Sequence, residues 1–257
     1  MKNHASLLLL FLLITNLITA QTGANDILYQ KGLKAREDYQ YQEGLALFQI
    51  LLKSDSANVN YLAQTSYFFS RVGQLQPTKN GAMEYYHRAE YLAHKAVAQG
   101  PEYPESHYSL ALALGRINEH ASTKQKIANA KVIRTELDFC LKLNPKHDLA
   151  WHILGRWHVE LASLNGIERL AVNTLFGGMP QGGTLNDAIK CFTKAIDLNP
   201  KYMIHQYELA HTYSLRDGKG DKELAISTLK SALLLPNIAP DDAATRKHCE
   251  ELLKKLE

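Results

Sequence analysis

The sequence predicts an all-α protein built by stacking antiparallel helix pairs, and three observations carry that expectation. Apolar residues recur at three- and four-residue intervals along the chain, and no segment shows the two-residue alternation of a strand. The tetrad LNPK stands at 143–146 and again at 198–201, each time between two helical patterns, in LKLNPKHDLAWHILGRWH and IDLNPKYMIHQYELAHTY. The 257 residues are 46% hydrophobic and 21% charged, the balance of an ordinary folded chain. The repeated unit is helix, turn, helix.

The elements follow in order. Helices are expected over 25–37, 41–54, 58–72, 79–99, 104–118, 122–142, 147–163, 184–197, 201–216, 219–235 and 240–256, with an extra amphipathic segment, IERLAVNTLF, at 167–176 after Asn165-Gly166. Asp26, Asp187 and Asp241 stand where acidic side chains favour a helix start. Gly44, Phe48 and Leu51 mark the first pair. Ala89, Ala93, Ala96 and Pro101 close the next, and Leu110 and Ala111 open the one after it. Leu209, Ala210 and Tyr213, then Ala225, Leu229 and Ala232, repeat the pattern after Pro200.

This register resembles the tetratricopeptide repeat, W-x₂-L-G-x₂-Y followed by A-x₃-F and a Pro. Trp151, Leu154 and Gly155 fall on its first three places, and His158 stands where an aromatic is usual. Ala188, Phe192, Ala195 and Pro200 complete the unit, with extra residues inserted between its two helices. Small residues let the paired helices approach, large ones fill the groove between them, and Pro ends each helix where its missing amide does least harm. Trp151 and Phe192 are therefore expected in the core, and Cys140 on one of the small core places.

Charge and composition exclude several classes. Net charge is +3, from 29 basic and 26 acidic side chains spread without long runs of like sign, so nothing points to nucleic acid. Cys140, Cys191 and Cys249 form no CxxC pair and no even disulfide framework, and read as small core hydrophobes. At the N-terminus, Lys2 and His4 precede the apolar run Leu7 to Leu13, and small Ala20 stands before Gln21. That is the pattern of a secretory signal peptide over 1–20, followed by one helical domain over 21–257 in the periplasm or outside the cell. The alternative is an uncleaved N-terminal membrane anchor, since Leu17 and Ile18 lengthen the segment. No integral span is expected once the signal is removed.

No reacting group is expected. The loop GGMPQGGT at 177–184 has the spacing of a phosphate-binding loop but lacks its Lys and a preceding strand. His152 and His158, like His205 and His211, are six residues apart, about 120° off a shared helix face, and His87 and His94 have no third ligand. There is no GxSxG, and each Cys lies in a helical pattern. Catalytic, metal and cofactor sites are all expected to be absent.

What remains is surface. In such a solenoid the first helix of each pair lines a concave groove suited to peptides. The register places Tyr67, Tyr108, His152, Arg156, Tyr207 and His211 there, with Arg71 and Arg116 one step further round. Aromatic rings supply rigid contact area and guanidinium pairs with carboxylates at two points. A Tyr-rich face partly filled by a terminal helix is the alternative.

Over 104–116 and 133–200 the chain is similar to the regulator of microtubule dynamics family, through ALALGR, DLAWHILGRWHVELASLN, IERLAV and FGGMP. The resemblance implies a tetratricopeptide-like fold, no cofactor, and the microtubule association of the animal members. With the export pattern, the expectation is a non-enzymatic scaffold that binds a protein or peptide in its groove, in the periplasm or cell envelope. A cytoskeleton-associated regulator is the alternative.

Overall fold

The computed structural model describes residues 23–175, 178 and 182–257, which form twelve α-helices and no strand among the described residues. The segment expected to be a signal peptide and much of the GGMPQGGT loop lie outside them. In chain order the helices are α1 (23–37), α2 (Tyr41–Ser54), α3 (Val59–Gln74), α4 (Lys79–Gln99), α5 (Pro104–Asn118), α6 (Thr123–Leu143), α7 (Asp148–Ala162), α8 (Gly166–Leu175), α9 (Leu185–Leu198), α10 (Met203–Arg216), α11 (Asp221–Leu233) and α12 (Asp242–Leu256).

Local chemistry sets the boundaries. Asn58, Thr78, Ser122 and Thr184 each cap a helix, their side-chain oxygens accepting from the backbone N–H of Tyr61, Gly81, Gln125 and Asp187. Pro104 occupies the first turn of α5, where its missing N–H costs nothing. At the LNPK junction His147 takes the cap role, its Nδ1 accepting from Ala150 N–H at 3.2 Å. The inserted α8 opens on a reciprocal capping box, in which Glu168 N–H donates to Asn165 Oδ1 and Asn165 N–H to Glu168 Oε2, both at 2.9 Å.

The helices pack as α1 on α2, α3 on α4, α5 on α6, α7 on α9 and α10 on α11, with α12 laid over the last pair. The first helices of successive pairs also touch, α3 to α5, α5 to α7, α7 to α10 and α10 to α12, and so form a continuous inner wall. Close approach depends on glycine opposite a ring. A Cβ at Gly44 would fall 2.1 Å from Phe68 Cε1, and one at Gly155 2.6 Å from Phe192 Cε1. Phe68, Phe192, Ala89, Ala150 and Ala188 are fully buried.

The sequence register misplaces one core side chain. Trp151 is half-buried at the edge of the core, its Nε1–H donating to Pro145 O at 2.9 Å across the turn. The deeply buried ring is Trp157, nearly two turns further along, which is 3% exposed and donates to Ala130 O at 2.8 Å. The reason is that α7 packs on both α6 and α9, so its face toward α6 is also covered. All three cysteines are buried and unpaired, and burial pushes the Cys140 and Cys191 thiols up to about 12 and the Cys249 thiol up to about 11.

Two tests follow from the packing. Trp157→Ala should destabilise by about 3–5 kcal/mol and Trp151→Ala by clearly less, read from urea midpoints of the two variants. The second concerns His107, buried on α5, whose Nδ1 lies 2.6 Å from Glu136 Oε2 and Nε2 2.7 Å from Pro101 O. Burial alone would lower its pKa, but the two acceptors favour the imidazolium, and the net shift is upward. A raised folded value means this stabilisation is complete below the ordinary value of about 6.5 and is lost as pH rises through the folded one. Between pH 6 and 9 the wild type should therefore lose more unfolding free energy than His107→Gln; equal losses would refute the assignment.

Candidate functional site

The inner wall is built from α3, α5 and α7, and its middle is almost wholly buried: every residue from Leu62 to Gly73 on α3 and from Ser106 to Leu114 on α5. Much of that surface is polar, and each charge has a partner. Arg36, at the end of α1, donates to Gln64 Oε1 at 2.9 Å and Glu105 Oε2 at 2.7 Å, and stands 4.2 Å over the Tyr67 ring. His147 Nε2 lies 3.0 Å from Glu105 Oε1. Burial alone would raise the Glu105 carboxyl, but Arg36 and His147 overcome it and hold the carboxyl well below the usual range.

Arg71 of α3 joins the two ends of the solenoid. Its guanidinium donates to the hydroxyls of Tyr41, on α2, and of Tyr202, before α10, the latter at 2.8 Å, and lies 3.6 Å from Asp241 Oδ2 at the start of α12. The rings of Tyr39 and Tyr202, from two turns, are 5.5 Å apart beside it. The groove is thus narrowed by turns that meet across it, and the terminal helix α12 packs on its α10 end.

What stays open is a cavity of about 120 Å³, lined by α3, α5, α6 and α7 together with Tyr202 and Asp241. Of the residues the sequence assigned to the groove, Tyr108, Arg116, His152 and Arg156 line it, and so does Arg71. Tyr67, Tyr207 and His211 do not. The Tyr67 ring is buried among Arg36, Tyr41 and Tyr108, because α1 and α2 close over that part of α3. Tyr207 stacks on His211 at 5.9 Å and lies 5.7 Å from His248, because α12 packs on that end of α10.

Sequence reasoning did not assign Tyr202 and Asp241 to the groove, although both fell at the starts of expected helices, where they prove to be the cap residues of α10 and α12, and it missed the partners of His152. In the structure His152 Nδ1 is 3.0 Å from His205 Nδ1, and His205 Nε2 is 3.5 Å from Asp148 Oδ2, which also accepts from Asn199 at 2.9 Å. A carboxylate only accepts, so His205 Nε2 carries a proton toward Asp148, and the two Nδ1 atoms share one hydrogen bond between the rings. Burial and the neighbouring His205 and Arg156 push the His152 pKa well down, leaving a neutral ring. Arg116 donates to Glu119 Oε1 and Gln74 Oε1, both at 2.7 Å, whereas Arg156 only approaches Glu160 and Glu208, at 3.9 Å each. Among the described residues no cluster of three or more His, Cys, Asp or Glu is placed to hold a metal ion.

A continuous wall of first helices, glycines under rings and Pro-ended junctions define a tetratricopeptide-like α-solenoid. The solved structure of TTC0263, a thermophilic tetratricopeptide-repeat protein in Thermus thermophilus, superposes with a TM-score of 0.63 at 16% identity, covering 90% of this chain and 99% of that one. The chain belongs to the regulator of microtubule dynamics protein 1-3 family, whose pattern it matches over residues 26–257. It is 27% identical over 210 residues to regulator of microtubule dynamics protein 3 of Bos taurus, covering 80% of this chain and 44% of that protein. Against regulator of microtubule dynamics protein 2 of Mus musculus it is 23% identical over 236 residues, covering 90% and 56%. It spans about half the length of these curated relatives.

The junction at Arg71 sets a test of the site. Arg71→Met removes a buried cation shared by Tyr41, Tyr202 and Asp241, and should cost about 3–5 kcal/mol, because the Asp241 carboxylate loses its partner. Arg71→Met with Asp241→Asn should recover part of that loss. Thermal melts of both variants and of Asp241→Asn alone check it, and losses that simply add would show that the pair is not coupled.

Proposed function

We propose that this protein is a non-enzymatic scaffold that holds a peptide or protein segment in the concave groove, around the cavity between α3, α5 and α7. The observation that carries the reading is the convergence of Tyr108, Arg116, His152 and Arg156, from two successive first helices, on one open space. Arg156 is the anchor for a partner. Its side chain is 42% exposed and its carboxylate neighbours are no nearer than 3.9 Å, so its donors are the least committed in the groove. A photoreactive residue in place of Arg156 should cross-link a partner, whereas one in place of Tyr91, exposed on the outer helix α4, should not. Arg156→Ala should weaken that binding by about 1.5–3 kcal/mol with the melting temperature nearly unchanged. Capture from Tyr91 alone would sink the groove reading, as would a lowered melting temperature with binding per folded molecule intact.

The site of action we propose is the periplasm or cell envelope, on the strength of the N-terminal charge, apolar run and Ala20. No described helix is long and apolar enough to cross a membrane. N-terminal sequencing of the mature protein should begin near Gln21. Intact Met1 in a cytoplasmic fraction would remove that assignment in favour of the second reading, a cytoskeleton-associated regulator, which the family membership supports.

A further inference from the structure

The arc of first helices runs from α3 through α5 and α7 to α10, and α2, α3 and α4 make no extensive packing with α9 to α12. What joins the two ends of the arc is side chains. Arg71 of α3 reaches the Tyr202 hydroxyl at 2.8 Å and Asp241 Oδ2 at 3.6 Å, and the Tyr39 ring lies against that of Tyr202 while its hydroxyl meets the Asn199 side chain. A junction made of side-chain tips can release without unfolding a helix, because no helix-to-helix face is lost with it.

Behind this clasp lies the buried histidine pair. Tyr202 stands edge-on to the His205 ring, centroids 5.0 Å apart, and Asn199 donates to Asp148 Oδ2, the same oxygen that His205 Nε2 faces at 3.5 Å. His152 on α7 and His205 on α10 meet Nδ1 to Nδ1 at 3.0 Å, and the two residues are 9% and 0% exposed. One hydrogen bond between those nitrogens needs one proton and one lone pair, whichever ring supplies which. With both rings cationic no lone pair is left, two N–H groups point at each other, and two like charges stand in a site closed to water.

The surroundings add to that penalty. Arg71 from α3, Arg116 from α5 and Arg156 from α7 itself bear on His152, and α9 contributes the Phe192 ring. The acidic groups nearby each face another partner as well: Asp148 faces Asn199, Glu208 of α10 faces Arg156, Asp241 at the start of α12 faces Arg71, and Glu119 faces Arg116. His147, the cap of α7, is taken by Glu105. Other charges on the packed helices are turned elsewhere: α6 sets Arg134 over Trp157, α9 pairs Lys190 with Asp187, α11 pairs Asp221 with Arg216 and Lys230 with Glu257, and α12 sets His248 beside Tyr207. Burial, His205 and the three guanidinium groups hold the His152 pKa well below its ordinary value of about 6.5.

We propose that this junction is an acid-released clasp: when His152 and His205 are both protonated they repel, α10 shifts from α7, Tyr202 leaves Arg71, and the groove opens at its narrowest point. In the open form the ring at 152 regains water and its ordinary proton affinity, so protons favour opening. The clasp is therefore closed above about pH 6.5 and is released as pH falls below it, the open-to-closed ratio rising by up to about tenfold per pH unit for one extra proton. The inference concerns how the groove opens and stands on the geometry of the clasp, whatever partner the groove takes.

The test is a distance measured across the clasp in the full chain. Spin labels on Gln42→Cys, exposed at the start of α2, and Ala244→Cys, exposed on α12, are read by double electron–electron resonance; the native cysteines are buried and stay unlabelled. Between about pH 7.5 and about pH 5.5 the distance should lengthen by several ångströms, with helix content by circular dichroism unchanged. His152→Gln, which cannot take the charge, should keep the shorter distance at both. Tyr202→Phe with Asp241→Asn should show the longer distance already at the higher pH. An unchanged distance in the parent chain, a lengthening that His152→Gln shares, loss of helix at the lower pH, or a short distance in the clasp double variant would each overturn the proposal. Should His152→Gln not fold, ¹⁵N-histidine spectra of the parent chain decide: the His152 ring must titrate with the midpoint of the distance change, and a separate midpoint removes the clasp. Cross-linking from Arg156 tests the scaffold reading by itself, and neither result alters the other.

Discussion

A pair of antiparallel helices cannot bury its own apolar face, and everything else in this structure depends on that constraint. Each pair is stable only against its neighbour, so contact must be close, and closeness is bought by removing side chains where rings must lie. Gly44 under Phe68 lets one pair approach the next, and Gly155 under Phe192 lets the two helices of a single pair approach each other. Because the stacked faces are tapered by these small residues on one side and large ones on the other, the stack curves. The first helices are thereby brought to the inside, and residues far apart in sequence meet across the groove, as Arg71 and Tyr202 do.

Curvature of this kind buries polar groups, and the protein meets the cost by pairing them. Arg36 with Glu105, and Arg71 with Tyr202 and Asp241, connect elements far apart in the chain, α1 to α5 and α3 to the starts of α10 and α12. Buried ion pairs of this sort add little net stability over an apolar replacement, since desolvation offsets attraction. Their effect here is positional: each guanidinium satisfies groups from at least two elements, so the turns at Tyr39, Tyr202 and Asp241 are held at fixed places around the cavity.

The helical register made most of this legible. Helix ends at 41, 54, 79, 99, 104 and 118 were readable to the residue because caps and prolines are local signals. Arg116, His152 and Arg156 were readable as groove residues because they lie on first helices at regular spacing. Tyr207 and His211 obey the same spacing, yet α12 covers them, and nothing local to α10 records what the chain's last helix will do. Tyr202 and Asp241 cap α10 and α12, one residue ahead of the helical faces, so the register that locates the helices does not say what their side chains meet. Trp151 and Trp157 differ in burial because α7 has neighbours on two sides, and a repeat pattern written for one pair names only one of those faces.

A fixed wall changes what binding costs. A groove formed by mobile side chains must order them when a partner arrives, at about 0.5–1.5 kcal/mol for each long side chain immobilised. Here Arg71 is already held by three partners, Arg116 by Gln74 and Glu119, and His152 by the His205–Asp148 chain, so those costs were met during folding. Arg156, partly exposed with its carboxylate neighbours at 3.9 Å, is the least committed of these cations. Affinity would then rest on how well a bound segment fits a wall whose shape is set in advance, with little ordering left to do on the protein's side.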